Sequence, residues 1–104
     1  MAHDFIIIQV SFPKDFDSMA ICKQLIASKL AVCIHKFPAI SSYYEWKNTI
    51  ESSEEYLLHI KTSKKNFAPI ETLILSEHPY DVPELFSITI DSISAPYLNW
   101  AKQI

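Results

Sequence analysis

The spacing of apolar residues along this chain switches between the period of two that is typical of strands and the wider spacing that is typical of helices. Residues 5–10 form a β-branched run that is apolar on both faces and too short for a helix, which predicts a central strand. A helix over 16–30 follows, because its apolar positions form one stripe. These positions are Ile21, Cys22, Leu25, Ile26 and Leu30.

The middle of the chain predicts a long hairpin. A second strand begins at 32–34, and Pro38 predicts a bend or an edge before the extended pattern resumes at 42–47. We place the turn at 51–54. Beyond it, Tyr56, Leu58 and Ile60 alternate with Leu57, His59 and Lys61, as expected of a strand with one buried face.

The last third predicts a helix over 64–77 with Pro69 in its first turns, a strand over 86–90, and a short helix. We expect Ser94 to cap that final helix, which carries Pro96, Tyr97 and Trp100. The order β-α-β-β-α-β plus a C-terminal helix predicts a single α+β domain over 1–104. Its arrangement would be the ferredoxin-like split-βαβ sandwich, with an antiparallel sheet and both helices on one face.

Such a sheet leaves its other face bare, and hairpin aromatics would project on both sides near the tip. Exposed apolar patches of this kind mark association, so we expect a homo-oligomer. The residues expected at its interface are Tyr43, Tyr44, Trp46 and Trp100.

The composition excludes several classes of active site. None of the 104 residues is glycine, which excludes P-loops, dinucleotide fingerprints and nucleophile elbows. Without a nucleophile motif or an activating base, we do not expect an enzyme. Left-handed turn positions must then fall to other residues, and Asn48 and Asn66 are the candidates.

The net charge of −3 and the absence of any basic cluster beyond Lys64-Lys65 argue against nucleic acid as a partner. No apolar run approaches the ~20 residues of a membrane-spanning helix, and no secretory signal is recognisable, so we expect a cytoplasmic protein. Cys22 and Cys33 fit neither a zinc framework nor a thioredoxin-type site. We expect no obligate cofactor.

Residues 78–84, His-Pro-Tyr-Asp-Val-Pro-Glu, place two prolines around an imidazole, a phenol and two carboxylates. Each proline fixes its own φ and extends the residue before it, so this segment is rigid. It is either a stiff connector from helix to strand or a loop whose side chains are aimed at a ligand.

Six motifs in order resemble the CutA family, the proteins named for divalent-cation tolerance, over nearly the whole chain. They are Ser11-Phe12-Pro13, residues 30–34, Ser42-x-Tyr44-x-Trp46, residues 55–62, residues 78–84 and Tyr97-Leu98-x-Trp100. The resemblance implies a ferredoxin-like homotrimer with exchanged hairpins and clefts between subunits, similar to PII-type signalling proteins. It implies weak binding of divalent metal, copper foremost, in metal tolerance. The alternative is a PII-like signalling or scaffold trimer that binds a small ligand in those clefts.

The chain departs from the family pattern at four positions. Asn48 stands where glycine is common and suits the same left-handed backbone. Val10 and Glu77 occupy places where copper-binding members carry Cys and His. His35 stands where Asn is usual.

Two metal sites are predicted. In one, His78 acts as a ligand with Glu77 and Glu84; the alternative role of His78 is to cap the C-terminus of its helix. In the other, Cys33 and His35 lie on one strand face and form a soft-metal pair; the alternative for Cys33 is simple packing.

A ligand cleft is the remaining prediction. In the family, the lysine at position 61 lies near the intersubunit cleft with the hairpin aromatics. We therefore predict a pocket for a small anionic or zwitterionic ligand. Its predicted residues are Tyr44, Trp46, Lys61, Tyr80 and Glu84. The alternative for Tyr44 and Trp46 is an interface role.

Overall fold

The structure, a computed structural model, describes residues 3–103. The strands are β1 (Phe5–Pro13), β2 (Cys33–Trp46), β3 (Thr49–Ser63) and β4 (Leu85–Thr89). The α-helices are α1 (Met19–Ala27), α2 (Phe67–Glu77) and α3 (Ala95–Ala101), and a 3-10 turn over Lys64–Asn66 precedes α2.

The four strands form one antiparallel sheet in the order β2-β3-β1-β4. Strand β1 is central, as its two-sided apolar pattern predicts, and pairs with β3 on one side and β4 on the other. This order and the positions of α1 and α2 between strands confirm the predicted α+β, ferredoxin-like arrangement.

The core lies on one face of the sheet. Alternate residues of β1 and β3, including Ile8 and Leu58, are fully buried against α1 and α2. On the opposite face, Phe37, Phe86 and Ile88 keep 42–43% of their surface exposed. Helix α3 covers only one end of that face, where Leu98 and Ala101 pack with Phe5.

The hairpin turn lies at Lys47-Asn48, so the prediction of a turn at 51–54 is wrong. Lys47 and Asn48 have φ values of 51° and 67°, and Trp46 pairs with Thr49 directly across them. Two consecutive left-handed residues form the two-residue turn whose twist matches that of antiparallel strands. Residues 51–54 belong to β3 and pair with β2, so the hairpin extends well past the sheet.

The predicted bend at Pro38 is confirmed as a β-bulge between Phe37 and Ile40. Ala39 takes a φ of 60° there. The left-handed assignment holds for Asn48 but is wrong for Asn66, whose φ is −92° because it precedes α2. Lys29, with a φ of 62°, is the fourth left-handed residue in the described part of the chain.

The first helix is shorter than predicted at both ends. The Asp17 carboxylate accepts a hydrogen bond from the Met19 amide at 2.9 Å, so the helix begins there. At the other end, left-handed Lys29 reverses the chain, and the Leu30 amide bonds back to the Leu25 carbonyl.

The later elements agree more closely with the pattern. Helix α2 ends at Glu77, and the capping residue His78 has a ψ of 136°, extended as expected before a proline. Ser94 occupies the N-cap position of α3, although its side chain makes no capping hydrogen bond. No helix among residues 3–103 is long and apolar enough to cross a membrane.

Candidate functional site

His78 braces the 78–84 segment against the central strand. Its ring stacks on Phe12 with 4.4 Å between centroids, and its Nε2–H donates to the Ser11 carbonyl oxygen at 2.7 Å. Its Nδ1 accepts the Tyr80 amide at 3.1 Å. Burial lowers the pKa of His78 more than the Ser11 carbonyl and the Glu55 carboxylate raise it, which favours the neutral ring that this pattern requires.

A buried carboxylate joins this segment to the hairpin. Glu55 is only 4% exposed and accepts hydrogen bonds from the Tyr80 hydroxyl at 2.7 Å and from the Ser42 hydroxyl. Burial, reinforced by the bond to Glu55, raises the pKa of Tyr80 far above its usual range, so the phenol stays a donor. Two neutral donors therefore hold one buried charge.

Glu84 is connected to the sheet by two hydrogen bonds in series that the sequence did not predict. The His59 ring donates to Gln9 Oε1 at 2.9 Å, and the Gln9 amide donates to Glu84 Oε2 at 3.0 Å. Burial, followed by the neighbouring His35 and Lys61, lowers the pKa of His59. The alternation of β3 and β1 put His59 and Gln9 on one sheet face, but their contact depends on strand register.

A cleft of about 710 Å³, here called the hairpin cleft, opens between the hairpin and the 79–84 segment. It contains four of the five predicted ligand residues. They are Tyr44, Trp46, Tyr80 and Glu84. Buried Glu55 also lines it and was not predicted, because it directly follows the polar residues 51–54 and its burial involves contacts with Tyr80 and Ser42 from distant segments.

The charge of the hairpin cleft differs from the prediction. Among the described residues that line it are five carboxylates and no lysine or arginine. They are Glu45, Glu51, Glu55, Asp81 and Glu84. Within one chain, this charge disfavours the anionic ligand that was predicted here.

Lys61 lies elsewhere. It pairs with Cys33 across the β2-β3 ladder, and its ammonium lies 5.6 Å from the centre of the Tyr97 ring. Within one chain, Lys61 therefore lines a different cavity, at the end of the sheet that α3 covers.

The residues of the predicted His78 metal site do not form a metal-binding group. Both ring nitrogens of His78 are used in hydrogen bonds, and Glu77 is an exposed residue at the end of α2. Glu84 bonds to Gln9. Among residues 3–103, no three His, Cys, Asp or Glu side chains are grouped so as to hold a metal ion.

The second predicted pair does come together. Cys33 Sγ lies 3.7 Å from His35 Nε2, with the thiol partly buried and the imidazole exposed. Both project from β2 onto the face that the helices leave open. This pair presents one sulfur and one nitrogen ligand for a soft metal.

The predicted interface residues are exposed. Trp46 and Trp100 are 44% and 47% exposed, and Tyr43 is 76% exposed. Ile50 and Val82, at 81% and 73%, are further exposed apolar side chains that were not predicted; Val82 lines the hairpin cleft. Such a concentration is typical of a surface that associates.

The family model described as CutA1 divalent ion tolerance protein matches residues 6–104. A protein named CutA homolog from Xenopus laevis is 38% identical over 95 residues, which cover 91% of this chain and 63% of that protein. The divalent-cation tolerance protein CutA of Thermus thermophilus is 28% identical over 97 residues, 93% of this chain and 94% of that protein. The chain therefore spans less than two thirds of the Xenopus relative but nearly all of the Thermus one.

Solved structures agree. The crystal structure of CutA1 from a psychrotrophic Shewanella species superimposes with a TM-score of 0.89 at 32% identity. The match covers 99% of this chain and 96% of that one.

Proposed function

The chain belongs to the CutA1 divalent ion tolerance family, and we propose that it contributes to divalent-cation tolerance as a homotrimer that binds divalent metal weakly, copper foremost. In this proposal the chain is a single-domain, cytoplasmic binding protein without catalytic activity and without a nucleic-acid partner.

The observation that supports metal binding is the 3.7 Å contact between Cys33 Sγ and His35 Nε2. Thiolate and imidazole are ligands that copper and zinc both accept. Two ligands from one chain make a weak site, which fits tolerance better than tight storage. His78 is the poorer candidate, because a metal would have to displace either the Ser11 or the Tyr80 hydrogen bond.

Metal binding is tested by calorimetric titration of the metal-stripped protein with Cu²⁺ and Zn²⁺ without oxygen. We expect His35→Asn to weaken metal binding by about tenfold or more. Mutation of residues that only support a metal ligand already lowers metal affinity by about 10–100-fold, and loss of the ligand itself should cost at least as much. His78→Gln is the matched control and should leave the affinity unchanged. If His78→Gln abolishes binding and His35→Asn does not, the site is at His78 instead. No saturable binding below millimolar metal would refute the proposal.

The observations that support the trimer are the half-exposed Phe37, Phe86 and Ile88 on the open sheet face and the projecting hairpin. A second copy packed there would remove apolar surface from water. Light scattering should report three times the 12.0 kDa of one chain. A mass of one chain would refute this part.

The second candidate function is a PII-like signalling or scaffold trimer that binds a small ligand. It is favoured by the hairpin cleft, which gathers Tyr44, Trp46, Tyr80 and Glu84 around about 710 Å³. This volume lies in the range of ligand sites in proteins, roughly 300–1,000 Å³. Metal would then be incidental, and His35→Asn would remove metal binding without affecting the ligand.

A further inference from the structure

A cavity of about 610 Å³, here called the basal cavity, opens at the end of the sheet that lies away from the hairpin turn. Its lining residues lie within 3–5, 29–32, 62–66 and 101–102. They come from the start of β1, the α1-β2 connection, the end of β3 with the 3-10 turn, and the end of α3. The volume is in the range of ligand sites in proteins, roughly 300–1,000 Å³.

The charge around the basal cavity is opposite in sign to the net charge of −3 of the chain. Among the described residues that line it are three lysines, Lys29, Lys65 and Lys102, and one carboxylate, that of Asp4. Within residues 3–103, neither Lys29 nor Lys65 forms an ion pair. A concave surface that carries one sign of charge concentrates ions of the other sign. The basal cavity should therefore attract anions.

Hydrogen bonds between the neighbours of Lys29 and Lys65 join their two segments. Thr62 is 1% exposed, and its hydroxyl donates to the Leu30 carbonyl oxygen at 2.6 Å. The Asn66 side-chain amide donates to the Thr62 hydroxyl at 3.2 Å and to the same carbonyl at 3.4 Å. Leu30 directly follows Lys29, and Asn66 directly follows Lys65. The backbones of both lysines are thus held at the cavity before a ligand arrives, which lowers the cost of binding.

The rest of the wall includes an apolar part, formed by Phe5, Leu30, Val32 and Ala101. Phe5 and Ala101 are 8% and 3% exposed, so this part belongs to the packed fold. An apolar wall beside a few charged groups is the usual composition of a site for a small organic ligand.

We infer that the basal cavity binds a small organic phosphate with two negative charges. Its phosphate contacts Lys29 and Lys65, and its organic part contacts the apolar wall. Two lysines from separate segments favour a dianion over a monoanion, since each supplies one positive charge. Phosphate suits them because its three acceptor oxygens allow one group to meet both ammonium groups.

The basal cavity is separate from the sites proposed above. Of the described residues that line it, none also lines the hairpin cleft or belongs to the Cys33-His35 pair. The hairpin turn at 47–48 lies beyond the other end of β3, a strand of 15 residues, or roughly 45 Å away at about 3.3 Å per residue. The inference goes beyond the proposed function, and failure of the metal titration would leave it standing.

The test is calorimetric titration of the metal-free protein with phenyl phosphate, with benzenesulfonate as a probe of similar shape. Phosphate monoesters lose their second proton near pH 6, so at about pH 8 phenyl phosphate carries two charges and benzenesulfonate one. We expect saturable binding of phenyl phosphate, about tenfold or more tighter than that of benzenesulfonate, which weakens as salt is added. Equal affinities, or no saturable binding of phenyl phosphate below about 10 mM, would overturn the inference.

Variants locate the site. Lys29→Gly suits the left-handed backbone, so it should weaken phenyl phosphate binding by about fivefold or more without loss of stability. Lys65→Met should weaken it similarly, whereas Lys23→Met, at an exposed residue of α1 outside the cavity, should not. Asp4→Asn removes the carboxylate from the lining and should strengthen binding. Binding that survives both Lys29→Gly and Lys65→Met would overturn the inference.

A neighbouring copy is the other source of negative charge, because the hairpin carries exposed carboxylates at Glu45 and Glu51. Light scattering of the Lys29→Gly, Lys65→Met double variant separates the two sources. If a neighbour's carboxylates meet these lysines, the double variant has a lower mass and the unaltered protein does not bind phenyl phosphate, which overturns the inference. An unchanged mass together with loss of phenyl phosphate binding supports it.

Discussion

The hydrogen bond from Tyr80 to Glu55 should be the main polar link between the 78–84 segment and the hairpin. Tyr80→Phe removes one hydroxyl and leaves the ring in place, and Glu55, 4% exposed, then keeps Ser42 as its one side-chain donor among residues 3–103. Hydrogen bonds to charged groups contribute about 1.5–3 kcal/mol, and Tyr80 is partly exposed, so we expect a loss near the middle of that range, about 2 kcal/mol.

The matched control is Tyr44→Phe. That hydroxyl also makes a 2.7 Å hydrogen bond, but to the neutral, solvent-exposed Ser53 hydroxyl. We expect its loss to cost about 0.5 kcal/mol or less.

The assay is equilibrium unfolding in urea, with melting temperature as a second measure. For a chain of this size, a loss of about 2 kcal/mol lowers the melting temperature by roughly 8–16 °C. All variants must be compared at one protein concentration, because unfolding coupled to dissociation depends on concentration.

A result in which Tyr80→Phe costs no more than Tyr44→Phe would refute the reasoning. A double-mutant cycle with Glu55→Gln gives a second check, because residues in one hydrogen-bond network have non-additive effects. The cost of Glu55→Gln should fall once the Tyr80 hydroxyl is gone.

Three further outcomes are expected. Lys29→Gly should raise the free energy of unfolding by about 1 kcal/mol, because Lys29 is left-handed at a φ of 62°, whereas Lys23→Gly inside α1 should lower it by a similar amount. Burial lowers the pKa of His78 below 6.5 in the folded protein, so as pH falls the unfolded chain takes up this proton before the folded one does. The free energy of unfolding measured in urea should therefore decrease below about pH 6.5, and His78→Gln should reduce this dependence on pH. Ile50 is 81% exposed, so Ile50→Asp should leave the fold of one chain, and its circular dichroism, unchanged. It should lower the mass measured by light scattering if the hairpin forms an interface, and an unchanged mass would contradict a hairpin interface.

Elements built from local periodicity were predictable. The two-sided apolar run of β1, the alternation of β3 and the proline that ends α2 each leave a local signal, and each is found where the pattern puts it. The turn was misplaced because residues 51–54 are polar, and polarity alone suggests a turn. These residues are exposed instead because the hairpin extends beyond the rest of the sheet, and no local sequence pattern indicates this.

The site was predictable only where neighbours in sequence are neighbours in space. Cys33 and His35 share a strand face by their spacing, and they meet at 3.7 Å. The link from His59 through Gln9 to Glu84 joins three segments and depends on strand register. The separation of Lys61 from the hairpin aromatics likewise follows from register, since Lys61 pairs with Cys33 far from the turn.

The central position of β1 also bears on how the chain is made. Strand β1 is synthesised before both of its partners, Thr49–Ser63 and Leu85–Thr89, which lie far from it along the chain. Pairing between such distant segments is slow, and an unpaired apolar strand is prone to aggregate. The apolar run at 5–8 therefore lacks its native neighbours until both partner strands have been synthesised. We expect the yield of folded protein to depend on chaperones or on temperature more than its final stability suggests.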